Sequence, residues 1–196
     1  MFMRQALYQA PLRDDDKSKG FTLIELLVVI GIMAILASIA LIMLRGQHVI
    51  AMNSAALSDL NTTTKHEEGL YVDYDYYGST RSNQNNRARN GKGDAVAGTG
   101  AVYLVTRQNS SSNPERMEFR LSENVRMVVA MDNTYQSYVI TAKHTDGDRR
   151  YCYDSDSGAI YYDNRYAAGT QLTRGRAVAA QLNRDDCARI GTMSPL

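Results

Sequence analysis

The chain has 196 residues, 22 of them basic and 21 acidic, for a formal net charge of +1. That length suits one medium domain plus an additional element, and the charge balance gives no support to a strongly basic binder of nucleic acid or anionic lipid. The first twenty residues carry Arg4, Arg13, Lys17 and Lys19 against Asp14, Asp15 and Asp16, which leaves 18 residues of each sign in the remainder.

The polar stretch 1–20 ends abruptly at Phe21. From Phe21 to Leu44 the chain is apolar, without proline, and carries one charge, Glu25. Twenty-four residues of helix rise about 36 Å, enough to cross a hydrocarbon core of about 30 Å with some tilt. In lipid such a run is helical, because no other partner is open to its backbone groups. Beyond Arg45, Val49, Met52, Ala56, Leu60, Leu70 and Tyr74 recur every three to four residues, so the helix is expected to continue to about Tyr76 with one apolar face. The stripe weakens over 63–67, and Gly69 lowers helix propensity.

Residues 77–100 read as a loop, with five Gly, four Asn and four Arg or Lys between Gly78 and Gly100. Short β-patterned runs follow: Ala101–Val105, Val125–Val129, Tyr138–Thr141, Arg150–Tyr153 and Ile160–Tyr162. Turn signals at Thr145–Asp148 and Asp154–Gly158 separate the later ones. The expected fold class is α+β: a long N-terminal helix packed on a four- to five-stranded antiparallel sheet occupying 101–196. Residues 163–196 look irregular, with a short helix near Arg176–Leu182.

Cys152 and Cys187 are the two cysteines. Placed beyond a membrane segment, they suggest a disulfide formed in an oxidising compartment, tying the strand around Tyr151 to the tail; two free buried thiols are the alternative. No metal or other cofactor is expected: the cysteines and the scattered His48, His66 and His144 lack ligand spacing. No nucleophile–base constellation marks an enzyme. Gly93–Gly100 has the glycine spacing of a phosphate loop without its lysine, and reads as a flexible loop. Asp154-x-Asp156-x-Gly158 has a calcium-loop flavour but reads as a hairpin turn. Arg81, Arg87, Arg89 and Lys92 read as a solvated basic loop, with nucleic acid as a weak alternative partner. The thirteen tyrosines are expected to cover helix–sheet and subunit contacts.

The block Lys19-Gly20-Phe21-Thr22-Leu23-Ile24-Glu25-Leu26-Leu27-Val28-Val29-Ile30 closely resembles the prepilin cleavage and assembly signal of type IV pilins and type II secretion pseudopilins. The resemblance implies a leader peptide, 1–20, cut after Gly20 by an inner-membrane prepilin peptidase that then methylates the amine of Phe21. It implies a helix spanning 21–76, with 21–44 crossing the inner membrane before assembly, and a globular β domain with a C-terminal disulfide loop. Glu25 would pair with the Phe21 amine of a neighbouring copy. A four-residue offset of adjacent helices, about 6 Å, brings the two groups together. The partners implied are further copies of the chain, the peptidase and a pilus or secretion assembly machinery, and the destination is an extracellular filament. A type IV pilus subunit serving attachment, twitching or DNA uptake is the leading expectation, a secretion pseudopilin the alternative, and a membrane-tethered binding domain a third. Two departures stand out: Leu41-Ile42-Met43-Leu44 lacks the proline many relatives carry, and Ala34 stands where many have a second glycine.

Overall fold

The computed structural model describes residues 20–82, 91–106 and 115–196. Residues 1–19 of the expected leader 1–20, with Lys19, and the loop positions Arg87 and Arg89 lie outside them. The chain divides into two compact units, Met1–Met43 and Leu44–Leu196. Helix α1 runs from Leu23 to Tyr74 without interruption, as expected of a stretch that holds no proline. It stops where Asp75 takes a left-handed conformation, φ 60°, with its amide donating to the Tyr71 carbonyl at 2.8 Å. The second half of α1 packs against antiparallel sheets through Ala56, Leu60 and Leu70, which makes an α+β, pilin-like fold.

The main sheet is built on a meander of β6 (Val125–Met131), β7 (Tyr138–His144), β8 (Arg150–Asp154) and β9 (Ile160–Asp163). Two-residue strands extend it: β10 (Ser194–Pro195) on β9, and β2 (Gly91–Lys92) and β3 (Val96–Ala97) on β6. A second sheet has the order β1 (Gly78–Arg81), β4 (Val102–Thr106), β5 (Arg116–Phe119). The segment 77–100 is therefore not only loop. Its composition hides three strands because they are held by backbone approach and by one hydroxyl rather than by apolar side chains. Thr80 Oγ1 accepts from the Val129 amide at 3.0 Å and donates to the Asp94 carbonyl at 2.8 Å, tying β1 to β6. A Cβ on Gly98 would lie 1.8 Å from the Ser122 carbonyl oxygen, and one on Gly93 would lie 2.5 Å from that of Val129. The glycine spacing that mimics a phosphate loop is thus a packing requirement.

The register explains why β6 and β7 read as unbroken apolar runs. Val129 faces Ile140, and Ile140 faces Tyr153, on the side where α1 contributes Ala56, Leu60 and Leu70 to the core. One residue along, Val128 faces Thr141, and Thr141 faces Cys152, on the opposite side. That side is covered by the C-terminal segment: Leu172 and Ala177 lie against Val128, and Val178, Ala180 and Cys187 lie against Ala130, Val139 and Cys152. Both faces of the sheet are dry, so alternation disappears. The segment has little regular structure. A single 3-10 turn at Arg174–Arg176 replaces the helix expected near Arg176–Leu182. There the chain lies extended, with the Val178 amide donating to Thr141 Oγ1 at 3.1 Å.

Carboxylates staple this segment to the sheet by accepting from backbone amides. Asp154 takes the amides of Asp156 and Asp186, each at 2.8 Å, and Asp186 takes that of Gln181 at 2.6 Å. Asp156 takes the amide of Arg184 at 2.9 Å. Burial raises the Asp154 carboxyl to about 6 against the pull of those amides. The Asp154–Gly158 stretch is a hairpin turn, with Gly158 at φ +64°.

Cys152 and Cys187 form a disulfide across 35 positions, with Cα atoms 5.9 Å apart, and both residues are fully buried. Replacing both by serine is expected to lower stability by about 3–4 kcal/mol on the chain-entropy account of such a loop. Urea unfolding of the double variant beside the wild type measures it. A loss below about 1 kcal/mol would mean that the staples alone hold the segment.

Candidate processing and assembly site

The site is the start of α1. Thr22 is the residue before the first helical one, Leu23, and three hydrogen bonds join it to Glu25. The Thr22 amide and hydroxyl each donate to Glu25 Oε2 at 2.8 Å, and the Glu25 amide donates to Thr22 Oγ1 at 3.3 Å. This is a capping box, in which a threonine and the glutamate three residues on satisfy each other's amides. It fixes the helix start and leaves Gly20 and Phe21 outside the helix. Phe21 is 88% exposed, and a Cβ on Gly20 would meet nothing within 4 Å. The peptide bond between them lies open.

From the sequence, the partner expected for Glu25 is the Phe21 amine of a neighbouring copy. The capping box supplies two donors, a motif legible in Thr22-Leu23-Ile24-Glu25 and overlooked beside the charge. Behind it the helix is apolar all round. Leu26, Ile30, Met33, Leu36 and Ile42 each expose more than half of their surface, although they point to different sides. By length and composition α1 can cross a membrane, and none of its most apolar window is buried within the chain. A surface of this kind requires lipid or other protein around it.

The remaining candidates resolve locally. Among the described residues no group of His, Cys, Asp and Glu could hold a metal ion. Arg81 pairs with Asp94 at 3.3 Å, and Lys92 Nζ donates to the Gly175 carbonyl at 3.4 Å. Four of the tyrosines form a run through the core. Tyr71 stacks on Tyr77 at 4.6 Å, Tyr77 lies 4.5 Å from Tyr138, and Tyr138 lies 5.9 Å from Tyr153. They sit between the end of α1 and the sheet, where the sequence placed tyrosine rings.

The family model for the prokaryotic N-terminal methylation motif matches residues 15–41, the stretch that contains the open Gly20–Phe21 junction, the capping box and most of the apolar helix. Comparison with curated proteins and with solved structures returns no match. The motif implies processing by a prepilin peptidase, anchoring in the membrane and assembly into a pilus or related machinery. This signal, with the α+β fold behind it, supports a precursor similar to those of type IV pilins and pseudopilins.

Proposed function

We propose that the chain is the precursor of a structural, non-catalytic subunit of a type IV pilus. The prepilin peptidase cuts after Gly20 and methylates Phe21. The helix rests in the inner membrane as a single span and then enters a filament of identical copies, held in register by Glu25 and the Phe21 amine of a neighbour. The observation that carries this reading is the uncovered apolar helix beginning directly behind an exposed Gly–Phe bond. The C-terminal segment closed by the disulfide favours a pilus subunit over a secretion pseudopilin. Attachment, twitching or DNA uptake would follow from the filament.

Intact-mass and N-terminal sequencing of protein recovered from the membrane and from sheared surface material tests the first step. The expected N-terminus is N-methylated Phe21, with Gly20→Val blocking the cut by adding bulk at the scissile bond. A retained leader in the filament fraction, or a start after Ala40 as signal peptidase would leave, would overturn the proposal. Long surface fibres in electron micrographs support the pilus reading. Short fibres confined to the periplasm support the pseudopilin.

A further inference from the structure

Glu67 lies on the inward face of α1, about two turns from its end, and is fully buried. One carboxyl oxygen, Oε2, accepts from the Gly78 amide at 2.7 Å. The other, Oε1, is also buried and has no hydrogen-bond partner. Gly78 opens β1, so this bond closes the connection 75–77 between helix and strand. Gly78 has no room to move inward: a Cβ there would lie 2.9 Å from Leu70 Cδ1 and 3.2 Å from Leu104 Cβ. The titratable groups that face Glu67 are Glu68 on the same helix, Tyr77 in the connection and Tyr138 on β7. None of them is a cation.

A charged carboxylate in this position would have one donor, an orphan oxygen and a neighbouring acid. An uncharged carboxylic acid avoids most of that penalty while still accepting from Gly78 through its carbonyl oxygen. Burial accordingly pushes the Glu67 carboxyl well above the usual range, against the Gly78 amide, with Glu68 adding to the rise.

We propose that Glu67 is a pH-sensitive clasp on the α1–β1 connection, closed while the acid keeps its proton and released when hydroxide removes it. The released form needs water at both oxygens, which the packed site does not admit, so the connection must part from the helix to supply it. The rest of the connection is fastened by bonds that do not titrate in this range. Thr106 Oγ1 lies 3.0 and 2.9 Å from the carbonyls of Tyr76 and Tyr77, and the Tyr77 amide donates to the Tyr135 carbonyl at 3.1 Å. The opening is therefore expected to centre on Gly78 and β1 rather than on the whole connection.

The sign follows from linkage. The folded acid is weaker than the unfolded one. Closure is at full strength below the unfolded value and declines as pH rises toward the folded value, by up to about tenfold in the opening constant per pH unit. The test is amide hydrogen exchange on the full chain in detergent micelles between about pH 5 and pH 9, corrected for intrinsic exchange. The Gly78 amide of the wild type should lose protection steadily with pH, and Glu67→Gln, which keeps an acceptor and cannot ionise, should hold it constant. Equal pH dependence in the two proteins would overturn the proposal. A second measurement does not rely on the variant folding: the infrared carbonyl band of a protonated carboxyl group should be present in the wild type at pH 7, above the Asp154 range, and should fade in step with Gly78 protection. Its absence at pH 7 would equally overturn the proposal.

Discussion

Replacing Asp163 with alanine is expected to destabilise the domain by about 3–5 kcal/mol, the usual consequence of leaving a buried charge without its partner. Asp163 Oδ2 accepts from Arg150 Nη2 at 3.0 Å, and neither side chain has more than 4% of its surface exposed. Arg150 also donates to the Arg176 carbonyl at 2.7 Å and lies over the Tyr166 ring at 4.5 Å, so it joins β8 to the C-terminal segment. Its Nε already lacks a partner, and without Asp163 most of its charge would be uncompensated. The carboxylate further takes the Arg165 amide at 2.9 Å and the Thr192 hydroxyl at 3.3 Å. Burial opposes its ionisation, yet the bonds from Arg165 and the Arg150 guanidinium outweigh it and hold the carboxyl below the usual range. Its contribution is thus present above the unfolded value near 3.9 and disappears as pH falls through the lower folded value. The internal control is Arg165→Ala. Arg165 touches the same carboxylate, but its side chain is 56% exposed, so a loss of under about 1 kcal/mol is expected. Urea unfolding of the two variants side by side decides the matter. Equal losses would show that burial of the Arg150 pair is not what matters.

Glu25→Ala and Glu25→Gln are both expected to cut the yield of sheared surface filament about tenfold or more while leaving membrane insertion and the cut after Gly20 in place, because a charge-assisted bond to a neighbour's amine is lost at every subunit contact. The capping box makes the pair of variants informative. Glutamine can complete a capping box with Thr22 as glutamate does, whereas alanine cannot. If the charge sets the assembly register, the two variants fail alike and Glu25→Asp, with a shorter arm, retains partial assembly. If Glu25→Gln assembles at the wild-type level and Glu25→Ala does not, the residue serves the helix start and not the neighbouring amine. Wild-type yield from both would mean that apolar packing alone builds the filament. The assay is filament against membrane monomer, with each variant expressed as the sole subunit.

What the sequence disclosed depended on which side chains did the packing. The apolar half of α1 and the β6–β9 meander are written in apolar residues and could be read directly. The inward stripe of the second half could not be read in full, because its buried positions are Asn53, Ala56, Leu60, Thr63, Glu67 and Leu70. Three of the six are polar, and their bonds differ: Asn53 donates to Asp148 at 2.6 Å, Thr63 to the Asp59 carbonyl at 2.8 Å, and Glu67 accepts from Gly78 through one oxygen. A hydrophobicity pattern sees a weakening stripe where the structure has an even three-four spacing. Strands β1, β2 and β3 were hidden for a related reason, since Thr80, Gly93 and Gly98 work through a hydroxyl and through the absence of a side chain. The β5 strand, Arg116-Met117-Glu118-Phe119, alternates as an edge should but is only four residues long. At the N-terminus, the resemblance of the Lys19–Ile30 block to a prepilin signal pointed to the Gly20–Phe21 bond and to Glu25. It took the geometry to show that Thr22 belongs with them.

The carboxylates turned inward to hold backbone amides also alter how the molecule meets its surroundings. Beyond residue 20 the formal charges cancel, yet among the described residues five acids (Glu67, Asp132, Asp154, Asp163 and Asp186) and two full bases (Lys143 and Arg150) are buried. Arg87, Arg89 and Arg107 lie outside the described residues, which hold 15 basic and 18 acidic side chains, and 13 of each sign that are not buried. The described part is formally acidic, but ionic screening over about 8–10 Å restricts a close approach to the nearest groups, and these balance. A polyanionic surface touching this part of the domain would therefore meet less repulsion than the formula states.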